Sequence, residues 1–186
     1  MFDYAMILAS VVIGLAVTHL MQGLAGLMQR QNRERIWWVH LLWVGSMLLV
    51  ALSWWWWEYY LHSANWTFEV YLFVLLYAFC IYLACALLFP RETDAFVAYD
   101  EYFLDHRAWF FGLQITLNVI DVVDTALKGA AHVKALGTEY WVATAMTTIA
   151  AIICIRTRDR RVQAFIAVVW FLYLVSWLPR QMLRMG

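Results

Sequence analysis

Six apolar runs, each long enough to cross a bilayer, constrain this chain more than anything else in it. A helical span needs about 20 largely apolar residues. The runs cover roughly Phe2 to Met28, Ile36 to Tyr60, Trp66 to Phe89, Ala108 to Leu127, Tyr140 to Ile155 and Val162 to Leu183. Hydrophobic residues fill 65% of the 186 positions and charged ones only 14%, against about 25% charged in a typical soluble domain. In hydrocarbon every backbone N–H and C=O must be paired within the protein, which leaves helices or closed barrels. Barrel strands alternate inward and outward residues over about ten positions, and nothing here alternates in that way. The expected fold is therefore all-α: one transmembrane domain over 1-186, six helices, short loops and antiparallel neighbours. The first run starts with Asp3 in place of a basic segment, and its arginines follow the apolar stretch, so it is read as a retained span and not a cleaved signal.

Charge placement sets an expected orientation, because cytoplasmic loops collect Lys and Arg. One side carries nine of them: Arg30, Arg33, Arg35, Arg91, Arg107, Arg156, Arg158, Arg160 and Arg161. The other carries four: Lys128, Lys134, Arg180 and Arg184. Both termini are then expected on the non-cytoplasmic side, and the short loops suggest a bacterial inner membrane. The formal net charge is zero and no basic stripe is present, so nucleic acid is not an expected partner. Cys80, Cys85 and Cys154 lie in apolar runs at no metal-binding spacing, as small buried hydrophobes do. No cofactor or metal is expected.

The stretch SWWWWEYY, from Ser53 to Tyr60, ends the second run. Trp54, Trp55, Trp56 and Trp57, with Trp66, form one aromatic belt, and Trp37 and Trp38 belong to a belt at the opposite face, since indole rings favour the headgroup level. Glu58 then marks where the chain meets water. Four consecutive positions wrap most of a helix, so at least one of these rings must turn inward, where rings can also cage a cation.

The third loop holds Phe96, Tyr99, Phe103 and His106 at helical spacing, with Asp94, Glu101 and Asp105 opposite. It reads as an interfacial helix over about 94–106, whose acids pair with the arginines of the first and fifth loops. The acidic loop 91–107 also offers a surface to a protein partner.

Chemistry concentrates on the fourth run. Projected at about 100° per residue, Gln114, Asn118, Asp121, Thr125 and Lys128 fall within about 80°, and Asp124 widens the stripe to about 120°. Charge at bilayer depth costs at least about 2.5 to 3.5 kcal/mol per residue on insertion scales, so this face must meet protein or water. It reads as a proton or cation path; alternatively, Asp121 is tied to a neighbouring helix and Asp124 pairs with Lys128 at the surface.

In the first run, Ser10, Gly14, Thr18, Gln22 and Gly26 recur every fourth residue, with Gly23 beside them. Small residues at this spacing let membrane helices approach closely, so Ser10, Gly14, Thr18, Gly23 and Gly26 are expected in a helix contact. His19 and Gln22 are larger and can extend the path. Arg180 is an expected partner for Asp121 or Asp124. His19 and His40 raise a b-type haem, but counting from the helix ends leaves them about 7 Å apart in height, and His40 reads better as interfacial. His62, His106 and His132 fall in loops and are expected in water, and the threonines of the fifth run are expected to bond to their own backbone.

No nucleotide loop, zinc-protease helix or nucleophile elbow occurs, so an enzyme is not expected. The chain reads as a transport protein, a homo-oligomeric channel or small carrier for protons or monovalent cations. The alternative is a non-conducting subunit or lipid-binding assembly partner.

Overall fold

A computed structural model describes residues 2–29, 36–90 and 98–185. Among the described residues there are six helices, each long and apolar enough to cross a membrane: α1 (Phe2–Gln29), α2 (Trp38–Glu58), α3 (Phe68–Ala86), α4 (Tyr99–Leu127), α5 (Ala130–Arg156) and α6 (Arg160–Met185). They are joined by short connections, including a 3-10 turn over Tyr59–Ser63. The all-α expectation holds. Helix α2 lies centrally and touches α1, α3, α4 and α6; α1 packs closely on α3 and α4 on α5, whereas α5 and α6 meet much less.

Two boundaries differ from the sequence expectation. The stretch 98–107 is no separate interfacial helix, because α4 starts at Tyr99 and runs unbroken to Leu127. Its apolar positions are in phase with the span: Tyr99, Phe103, Phe110 and Phe111 all turn inward, so nothing breaks the helix at the interface. Asp94 and Phe96 lie outside the described residues. Helix α5 starts ten residues before the expected Tyr140, at Ala130. It is kinked at Gly137, whose φ of 68° is in the left-handed region that favours glycine.

The small-residue stripe of α1 is a correction. Gly14 and Gly26 have open space where a Cβ would stand, and Ser10 and Thr18 are exposed. Of the stripe, Ser10 accepts a hydrogen bond from Trp55 Nε1 at 2.9 Å, and Gly23 lies so close to Phe89 that a Cβ would enter its ring. The face turned inward carries Ala5, Ala9, Ala16 and Leu20, each fully buried. The reason is angular: steps of four residues advance about 40° each, so five positions sweep about 160° and cannot hold one line against a neighbour. Gly23→Leu is therefore expected to destabilise the bundle by about 1–3 kcal/mol through overpacking, read as a lower unfolding midpoint in detergent. Gly14→Leu should leave that midpoint unchanged; equal losses at both positions would refute this packing.

Trp54 is buried and Trp57 half-buried, while Trp55 and Trp56 face outward. Trp66 donates to the Leu61 carbonyl at 2.9 Å, Trp37 leans on Phe103, and Trp38 is exposed. Below, the end of the bundle that carries Glu58 is called the Glu58 end, and the opposite one the Arg158 end. At the Arg158 end, Asp105 pairs with Arg158 and Asp100 with Arg160 at 2.6 Å, so the start of α4 is tied to the start of α6. Exposed pairs of this kind contribute only about 0 to 1 kcal/mol, so they orient the ends more than they stabilise the fold. Arg30, Arg33, Arg35 and Arg91 lie outside the described residues.

Candidate functional site

The polar face of α4 turns into the bundle at the Glu58 end. Lys128, in the first turn past the helix, pairs with Asp124 one turn back and reaches Glu58 at the end of α2, Nζ to Oε1 at 3.4 Å. All three side chains are within 3% of complete burial. The expected Asp124–Lys128 pair is thus present, but it is buried and not on the surface. Glu58 is a second correction. It does not meet water, because the 3-10 turn after it folds over the bundle with Leu61 fully buried.

One turn below, Asp121 is held by two tyrosines. Tyr77 of α3 donates to Oδ1 at 3.1 Å and Tyr140 of α5 to Oδ2 at 2.7 Å. The Tyr140 oxygen in turn accepts from Thr125 Oγ1 at 3.3 Å. Each tyrosine fixes one carboxylate oxygen, so Asp121 has a single orientation. These groups surround a cavity of about 170 Å³. Its other walls include Trp54, Trp57, Trp177 and Tyr173, with Trp57 and Trp177 5.4 Å apart between ring centroids. His132 and Leu136, on the short stretch of α5 before the Gly137 kink, also line it. His132 is therefore not a solvated loop residue; its ring packs 5.1 Å from Tyr60.

Glu58 and Asp124 share the Lys128 ammonium, and Asp121 lines the same cavity. Carboxylates gathered in a poorly polarisable setting repel one another. Glu58 Oε2 and Asp124 Oδ1 are both buried with no protein partner among the described residues. No group of three or more His, Cys, Asp or Glu with metal-holding geometry occurs among the described residues.

The stripe continues toward the Arg158 end only briefly. Asn118 spends its amide on α5, donating to Thr147 and Thr148 at 3.1 and 3.0 Å, and those threonines bond back to the Thr144 carbonyl. Gln114 points its amide to the Met47 sulfur at 3.0 Å. Next comes a plug of rings: Trp43, Phe103, Phe110 and Phe111 are all buried and pack edge to face or tilted against one another. The polar track thus runs about 21 Å along α4, from Lys128 to Gln114, and stops at apolar rings.

Several expected members lie elsewhere. Arg180 does not meet Asp121 or Asp124; it pairs with Glu139 of α5 at 2.9 Å, while Lys128 is the cation that pairs with Asp124. Gln22 is exposed on α1, and His19 packs against Phe89, away from the cavity lining. His40, in the first turn of α2, is fully buried. It donates from Nε2 to the Leu88 carbonyl at 2.6 Å, and its ring packs on Phe89 and Tyr99. Phe89 lies against both imidazoles and His40 Nε2 is committed to a carbonyl, so the facing pair of nitrogens that a bis-histidine haem needs is not built.

Glu58, Tyr77 and Tyr140 are the members that the sequence did not reveal. Level-counting holds a signal for the first, since Glu58 ends α2 as Lys128 ends α4. For the tyrosines no local signal exists, because their role depends on which helices adjoin α4. Comparison of the chain with protein-family models, curated proteins and solved structures finds no match to any of them.

Proposed function

We propose that the chain is a membrane transport protein whose carboxyl cluster takes up a proton or a monovalent cation inside the bilayer. The observation that carries this is the sharing of one lysine by Glu58 and Asp124, beside Asp121, around a cavity within the helices. A packing device needs matched charges; an excess of carboxyl groups at hydrocarbon depth is what a site that loads and unloads positive charge requires. The ring plug beyond Gln114 favours a carrier over an open pore through one chain. A channel would have to run between copies in a homo-oligomer. The nine arginines that the sequence assigns to one side favour the Arg158 end as the cytoplasmic one. Burial of Lys128 in an ion pair strengthens that bias, since it removes one of the four opposing cations.

The test is cation or proton flux into liposomes holding the purified protein, read with pH- and potassium-sensitive dyes under gradients of both polarities. Flux that Asp121→Asn removes supports the reading. A second reading, a non-conducting membrane subunit, is favoured by the complete hydrogen bonding of Asp121 to two tyrosines, as structural glue has. No flux under any gradient would select it.

A further inference from the structure

Beside the polar cavity lies a second, apolar space. A groove of about 610 Å³ runs between α5 and α6, within the range of about 300–1,000 Å³ typical of small-molecule sites. Gln114, Asn118, Ala143, Thr147, Trp170 and Tyr173 line both spaces, so the two adjoin along shared walls. The two helices are latched at either end and separate between. Toward the Arg158 end Gln163 of α6 donates to the Cys154 and Thr157 carbonyls at 2.9 and 3.1 Å, and toward the Glu58 end Arg180 pairs with Glu139. The rim between the latches is Val142, Met146, Ile149, Phe165 and Val169, all exposed on the surface that a bilayer would surround. From Glu139 to Ile153 the groove follows about 21 Å of helix axis, more than one leaflet's share of a hydrocarbon core about 30 Å thick.

We propose that cavity and groove form one site for a single-chain amphiphilic cation, with the ammonium head among Glu58, Asp121 and Asp124 and the alkyl chain between α5 and α6. This rests on the reading above only insofar as the carboxyl cavity takes a cation. Charge complementarity selects the head: three carboxyls against one lysine attract an ammonium, and the indole and phenol faces of Trp57, Trp177 and Tyr140 stabilise one through their ring quadrupoles. The same carboxyls repel a phosphate or sulfate. The lateral opening gives such a ligand a route from the bilayer that never crosses water.

The experiment uses the full chain in nanodiscs of zwitterionic lipid, titrated with dodecyltrimethylammonium below its micellar range and followed by tryptophan fluorescence against empty discs. Saturable binding is expected. Asp124→Asn should weaken it about tenfold, and so should Ala150→Phe and Val169→Trp, which fill the groove from α5 and from α6 and do not line the head cavity; either suffices if the other fails to fold. Tetramethylammonium, which lacks a chain, should bind more weakly and ignore both groove substitutions. Binding that does not saturate, equal binding of dodecyl sulfate, or indifference of dodecyltrimethylammonium to the folded groove variants would overturn the proposal. Saturable binding without proton or potassium flux would fell only the transport reading, whereas flux without saturable binding would fell only this one.

Discussion

Asp121→Asn is expected to reduce proton or cation flux in liposomes to that of empty vesicles while the protein stays folded. Asparagine matches aspartate in shape and can still meet both tyrosines: its Oδ1 accepts from one hydroxyl and its Nδ2 donates to the oxygen of the other, at the positions now 3.1 and 2.7 Å from Tyr77 and Tyr140. What it cannot do is change charge. A group that only holds α3 and α5 to α4 would tolerate the exchange, so an unaltered unfolding midpoint with abolished flux separates a charge-carrying role from a packing one. Flux equal to that of the unaltered protein would sink the assignment of Asp121 to the path.

The largest stability effect is expected at Lys128. Lys128→Met removes the one ammonium that Glu58 and Asp124 share and leaves two carboxyls buried without it. Breaking a buried pair by deleting one partner costs about 3–5 kcal/mol, chiefly because the remaining charge has no compensation. The unfolding midpoint in detergent should fall accordingly. The triple variant Lys128→Met, Glu58→Gln, Asp124→Asn should recover most of that loss, since neutral groups of similar volume have no charge left to desolvate. A midpoint unmoved by Lys128→Met would mean that the cluster is wetted and contributes no more than a surface pair.

The two substitutions probe different properties of one site. Asp121 accepts hydrogen bonds from two tyrosines and is the group to which the proposed transport function assigns the exchange of charge, whereas Lys128 is the cation paired with the buried Glu58 and Asp124. The excess of carboxyls over cations in this cluster is what supports the proposed uptake of a mobile cation. The ring plug of Trp43, Phe103, Phe110 and Phe111 separates the cavity from the Arg158 end, so under the proposed transport function release on that side would require these rings to move.

How far the sequence goes can be judged residue by residue. Span number, helical class and the polar stripe on α4 follow from local quantities, namely apolar run length and the 100° advance per residue, and Gln114, Asp121, Asp124 and Thr125 line the cavity that this stripe faces. The same local counting misled at α1, where the four-residue repeat of small side chains turned outward and Ala5, Ala9 and Ala16 turned in. It misled again at Glu58, where a charge after four tryptophans has the look of a chain end in water and is instead the partner of a lysine 70 positions on.

By itself, then, the sequence determined that this protein is a bundle of bilayer-crossing helices with one charged helix face that has to be kept from lipid. Only the tertiary structure decided what meets that face: Glu58 from α2, Tyr77 from α3 and Tyr140 from α5, with Arg180 turned to Glu139 instead. The physical reason is that burial in a bilayer is decided by each helix alone, through transfer of its own side chains from water. The choice of neighbour has no such hydrophobic drive in lipid and depends on close packing and polar pairing between residues far apart in the chain.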